Sequence, residues 1–179
     1  QQLAALLLVI GFGIKIALPG LHLWLPLTYS VLSPAAAAVF SGPMISAGLL
    51  GMIRFLSPAD HGDIFSGQLL LAAGFTGALY GVVLGLTQAK ASLALAYSSI
   101  AKMGLLASAL GLALIYPSHA PLLVSAITLY AVHHLVVKSA LFLGLGLLEQ
   151  GASRRWLLSG LLLLGLALAG LPYSLSLIH

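Results

Sequence analysis

Apolar residues run through this chain in long blocks, separated by short polar punctuation. A helix that crosses a bilayer needs ~20 apolar residues, and the blocks predict about six such helices. The first covers roughly residues 2–17 and breaks at Leu18-Pro19, where a short amphipathic turn carries His22 and Trp24 before Pro26. The second spans about 34–56. It is rich in alanine and glycine, which allows close backbone approach to neighbours. A polar loop with Asp60, His61 and Asp63 follows, then a third helix over about 67–87 and a tight polar turn at 88–92. The fourth helix, about 93–115, stops at Tyr116-Pro117. A long fifth covers about 121–148, and a sixth begins near Trp156 and meets Leu171-Pro172. The fold class is therefore all-α, a polytopic membrane protein with a discontinuous first helix and a second broken helix at the far end.

The two breaks echo each other. LLLVIGFGIKIALPGLHL and LLLLGLALAGLPYSLSL share an apolar run, a glycine and a Leu-Pro step, with Leu168 standing where the first copy has Lys15. Paired broken helices point to a transporter core, although leucine-rich sequence produces such matches by chance.

Composition narrows the class. Hydrophobic residues make up 61% of the chain and charged residues 6%, against about 25% charged in soluble domains. Mean hydropathy is +1.15. The chain has no cysteine, which excludes disulfides, thiolate metal sites and iron–sulfur clusters within it. A net charge of +4 carried by seven scattered Lys and Arg does not suggest nucleic acid as a partner. The first residue is Gln1, so the chain reads as a fragment or a processed product. Lys90, Arg154 and Arg155 follow the first set of alternating helices, which places those loops in the cytoplasm. Arg54, Asp60, His61, Asp63 and His119 fall on the other side.

Charge inside the apolar blocks is the candidate chemistry. Lys15, Lys102 and Lys138 fall within predicted helices, where each costs roughly 2.5–3.5 kcal/mol on insertion scales. A proline beyond Lys15 would free backbone carbonyls that a buried cation can use. Tyr130, His134 and Lys138 are spaced four apart and form a polar stripe on one helix face, with His133 about 100° away. In the preceding helix, Ser98 and Lys102 have the same spacing. Lysines and histidines facing a hydrated interior can take up and release protons. The plainer alternative is that the lysines neutralise a carboxylate or snorkel to an interface. The chain's own three carboxylates, Asp60, Asp63 and Glu149, all lie in loops, so a partner carboxylate would belong to another chain. His22 beside Trp24 also suits an interfacial aromatic belt. Asp60, His61 and Asp63 could hold a metal, though an ordinary solvated loop explains them as well. No nucleophile elbow, phosphate loop or HExxH zinc motif is present, and no cofactor is implied.

Three stretches carry a family resemblance: GFGIKIALPGLHLWLPLTYSVLSPAAAAVFSGPM, LALAYSSIAKMG and HHLVVKSALFLGLG. They are similar to the antiporter-like proton-translocating membrane subunits of respiratory complex I, of formate-hydrogenlyase-type membrane hydrogenases and of Mrp cation/proton antiporters. The hydrogenase type looks nearest, from the GFGIK opening and the Ser41-Gly42 pair. The resemblance implies that Lys15 corresponds to the lysine of the family's discontinuous helix. It likewise makes Lys138 the lysine of a later helix, with His134 its usual neighbour. It implies one membrane domain over 1–179, covering the end of one inverted repeat and most of the next. The chain departs from the family at Met44 and Ser46, where a Lys or His is common, at Lys90, Ser92 and Leu93, and at Leu168.

The resulting expectation is a proton-conducting subunit of a redox-driven complex of NADH:quinone oxidoreductase or hydrogenase type. Lys15, Lys138, His134, Lys102, His133 and His22 would handle protons. The alternatives are a cation/proton antiporter subunit and a structural subunit that has lost conduction. Expected partners are the lipid bilayer, other membrane subunits and soluble redox subunits, in a bacterial or archaeal plasma membrane.

Overall fold

A computed structural model describes residues 2–58 and 63–169. Every regular element among them is helical. Four segments are long and apolar enough to cross a membrane: Pro34–Leu56, Ile64–Leu86, Ala91–Ile115 and Pro117–Glu149. The chain is thus a polytopic integral membrane protein. In chain order the helices are α1 (Gln2–Lys15), α2 (Trp24–Tyr29), α3 (Pro34–Val39), α4 (Ile45–Leu56), α5 (Ile64–Leu86), α6 (Ala91–Ile115), α7 (Ala120–Glu149) and α8 (Arg154–Ala169). A π-helical turn, Phe40–Met44, joins α3 to α4 within one span. The expected break at Leu171-Pro172 lies outside the described residues.

The first break differs from its sequence expectation. The helix does not run to Leu18-Pro19 but ends at Lys15. Ala17 turns into the left-handed region at φ 59°, and two reversed hydrogen bonds close the end. Ala17 N–H donates to the Ile14 carbonyl at 3.2 Å, and Leu18 N–H to the Gly13 carbonyl at 2.9 Å. This is a Schellman stop, a position where glycine is usual because Cβ crowds the following carbonyl. Leu18 folds back onto Gly13, supplying the apolar contact that accompanies such a stop.

α5 and α6 form the most intimate pair. Gly67, Gly74 and Gly81 recur every seven residues along α5, as do Gly104 and Gly111 on α6. A Cβ at Gly104 would sit 2.6 Å from the Gly74 carbonyl oxygen, and one at Gly111 2.6 Å from that of Gly67. The two antiparallel backbones therefore touch, which only glycine permits. Ser108 seals the seam by donating to its own helix at Gly104 O (3.1 Å) and across to Leu71 O (3.4 Å).

The Ala- and Gly-rich second span packs closely, as its composition predicts, but on two different partners. Gly42, in the π turn, meets α7 at Leu135 and Ser139, while Gly48 and Gly51 receive Phe12 and Lys15 of α1 and Ile16 just beyond it. α6 lies at the centre of the described chain and presents most of its residues to the core. α7 packs on both α3 and α6, and α8 covers α7 where Leu168 meets Val137 and Leu141.

Candidate functional site

Four of the six sequence-predicted residues come together where α6 faces α7. Lys138 is fully buried, and its ammonium donates to the Leu95 carbonyl at 2.6 Å. Ser99 Oγ donates to the same carbonyl at 3.2 Å. Leu95, Ser99 and Lys102 follow helical spacing on α6, so one face carries all three toward α7. His134, one turn from Lys138, is also fully buried, and among the described residues neither ring nitrogen has a hydrogen-bond partner. His133 is buried beside it, with its ring edge-on to Tyr130 at 6.0 Å. Lys102 is half-buried and holds its ammonium 5.5 Å from the centre of the Tyr130 ring, a cation–π contact. The stripe predicted from spacing is thus real, and α6 completes it.

The π turn flanks this cluster. Pro43 has no N–H to give to the carbonyls preceding it. The Ala38 carbonyl instead accepts from Ser139 Oγ at 3.0 Å and from Ser41 Oγ at 3.4 Å. Ser139 adjoins Lys138 in sequence and rests against Gly42 of the π turn. π turns recur at functional sites because they offer carbonyls outside the α pattern. Ser139 and this carbonyl belong to the site but carry no hydropathy signal. Only the Ser41-Gly42-Pro43 run hints at them.

Lys15 and His22 stand apart from the cluster. Lys15 is exposed at the last turn of α1, where a cation complements the helix dipole, and its stem lies over Gly48. The expectation that a carbonyl freed at the break would serve the lysine is not met. The Ile14 carbonyl is taken by the indole N–H of Trp24 at 2.7 Å. His22 is buried against α5, where its Nε2 and the Tyr80 hydroxyl share a hydrogen bond of 3.0 Å. Tyr80 in turn packs edge-on to Tyr97 of α6.

Asp63 is the one member of the acidic loop's Asp60, His61 and Asp63 among the described residues. Asp63 caps α5: its Oδ1 accepts from Phe65 N–H and Ser66 N–H, and its Oδ2 from Ser66 Oγ at 2.6 Å. A carboxylate so occupied is a helix cap, not a free metal ligand. Asp60 and His61 lie outside the described residues. Among the described residues no three metal-binding side chains converge. Ser46, at the position where the resemblance leads one to expect a Lys or His, faces an apolar cavity of ≈ 290 Å³ between α4 and α7.

Comparison with known proteins adds a family. Residues 1–178 match the family described as "NADH:quinone oxidoreductase/Mrp antiporter, TM". The chain is 35% identical over 147 residues to the uncharacterized protein Rv0083 of Mycobacterium tuberculosis, covering 79% of this chain and 23% of that one. It is 35% identical over 151 residues to hydrogenase-4 component B of Escherichia coli, covering 82% and 22%. The chain therefore spans less than a quarter of the length of these relatives. In structure it resembles the Mrp complex from Dietzia sp. DQ12-45-1b, with a TM-score of 0.82 at 24% identity, over 96% of this chain and 33% of that one.

Proposed function

The chain belongs to the NADH:quinone oxidoreductase/Mrp antiporter transmembrane family, and on that premise we propose that it moves protons across a membrane as part of a larger assembly. The observation that carries this reading is the fully buried Lys138, whose ammonium is held by a backbone carbonyl rather than a carboxylate. A cation in such a place is expensive unless it can lose its proton. His134, one turn away with neither nitrogen bonded among the described residues, is placed to relay that proton. Lys102 supplies a nearby positive charge whose displacement would favour or oppose protonation of Lys138. Coupling then needs only a conformational change that alters the distance between the two lysines. Lys15, on its exposed face, is a second station toward parts of the assembly beyond this chain, and His22 with Tyr80 is a side branch.

Relatives named as hydrogenase components support other membrane subunits as partners, and soluble redox subunits as the energy source, in a bacterial or archaeal plasma membrane. Proton flux in native vesicles, driven by an electron donor, tests this. Lys138→Ala should abolish it while the complex still assembles, and unchanged flux would sink the proposal. The Mrp part of the family favours one other reading, a cation/proton antiporter. That reading requires Na⁺- or K⁺-dependent proton flux with no electron donor present.

A further inference from the structure

The α2–α3 loop, the α5–α6 turn and the C-terminal end of α7 meet around a cavity of ≈ 400 Å³, within the ~300–1,000 Å³ typical of small-ligand sites. It lies where the spans Ile64–Leu86, Ala91–Ile115 and Pro117–Glu149 begin or end, which is the level of lipid headgroups rather than of hydrocarbon. Two exposed charges of opposite sign line it, Lys90 and Glu149, and no ion pair joins them among the described residues. On the membrane side of the turn, Val82, Val83 and Leu86 at the end of α5 are all exposed.

Both charges stand at the helix end that disfavours them. Lys90 is the N-cap of α6, where the helix dipole is positive, and neither an acidic residue nor a side-chain cap offsets it. The first-turn N–H groups of Ala91, Ser92 and Leu93 have no acceptor within the helix, and Ser92 lines the cavity. Glu149 closes α7, where the dipole is negative and no basic residue lies in the last turn. Each helix end therefore reinforces the charge it carries instead of cancelling it. One edge of the cavity attracts an anion and the other a cation. Tyr29, buried in the wall, adds a hydroxyl with no hydrogen-bond partner among the described residues. Local preferences broken in this way mark functional positions.

We propose that this cavity binds the headgroup of a membrane phospholipid of the phosphatidylethanolamine type, its phosphate at Lys90 and the α6 N-terminus and its ammonium at Glu149. The site is separate from the Lys138 cluster, and the proposal does not depend on how that lysine acts. A phosphate accepts charge-assisted hydrogen bonds from the Lys90 ammonium and the first-turn N–H groups. A primary ammonium donates to the Glu149 carboxylate, which the methylated ammonium of a choline headgroup cannot do. The acyl chains then lie along the outward apolar face at the end of α5, continuous with the bilayer. That face offers nothing to a soluble zwitterion, which favours the lipid over free phosphoethanolamine.

The test takes the full-length protein, purified with its native assembly in mild detergent. It is equilibrated with equimolar phosphatidylethanolamine and phosphatidylcholine, and retained lipid is counted by native mass spectrometry. The native chain should hold one phosphatidylethanolamine, preferred at least ~10-fold over phosphatidylcholine. Lys90→Gln should lower retention of both lipids at this site by at least ~10-fold, whereas Glu149→Gln should remove only the preference for ethanolamine. Arg155→Gln, which changes an exposed cation outside the cavity, should alter neither. The double variant Lys90→Glu, Glu149→Lys puts each charge at the helix end that favours it. It should assemble and melt no lower in lipid-free detergent, yet lose the lipid. Equal retention of the two lipids by the native chain, unchanged retention in Lys90→Gln, equal loss in Arg155→Gln or retention in the double variant overturns the proposal. Displacement by glycerophosphoethanolamine at the same concentration also overturns it, by making the ligand a soluble one. So does a native chain that holds no lipid at all, which would mean that another part of the assembly fills the cavity.

Discussion

Lys15 and Lys138 look alike in sequence, each a lone cation in an apolar helix, yet the structure treats them oppositely. Lys15 ends a helix and is exposed, while Lys138 lies mid-helix and is fully buried. At the α1 break the backbone does the unusual work: a left-handed alanine, reversed hydrogen bonds and an indole on the last carbonyls. Around Lys138 the helix is unbroken, and carbonyls from α6 and from the end of α3 beside the π turn do that work. A break in a helix therefore does not mark where a charge is buried. Burial follows from which neighbours can bring an acceptor, here the Leu95 carbonyl.

The sharpest challenge to this contrast is to remove each charge. Lys138→Ala is expected to lower proton flux by at least ~100-fold, the scale of losing a proton-transfer group. Lys15→Ala should lower it by less than ~10-fold, since its ammonium is exposed in this chain. Equal losses in vesicle assays would mean that the exposed face of α1 is closed by other parts of the assembly. Changes at the break itself should act on stability. Trp24→Phe removes the bond to the Ile14 carbonyl and should cost about 1 kcal/mol, read by thermal unfolding in detergent. Ala17→Gly relieves the left-handed strain of about 1–2 kcal/mol but adds unfolded-state freedom, leaving a gain of roughly 0.5 kcal/mol. A loss of stability instead would show that the Cβ of Ala17, buried in the core, contributes more by packing than it loses by strain.

Much of this was legible in the sequence. Hydropathy blocks located the long helices to within a few residues, because each is bounded by polar or proline-containing turns, but short α2 lies where the sequence reads as a turn and a connection. The four-residue spacing of Tyr130, His134 and Lys138 gave the stripe, because helix geometry alone fixes that face. What could not be read were acceptors supplied by backbone. The Leu95 and Ala38 carbonyls have no residue identity, so no motif announces them. Nor does a Schellman stop at alanine, where glycine is the usual signal. The α5–α6 seam is a different case. Its seven-residue glycine spacing is written plainly at Gly67, Gly74 and Gly81, but hydropathy averages pass over it.

The π turn at Phe40–Met44 amounts to one residue inserted into an otherwise regular helix. Excising a single residue there would restore ordinary winding and rotate everything beyond it by about 100°. The upstream half would keep its grip on α7 through Ala38 and Ser139. Gly48 and Gly51 would swing away from α1, and bulkier side chains would meet Phe12 and Lys15 in their place. Single-residue gaps in related chains at this point should therefore be compensated by changed residues on α1, rather than on α7.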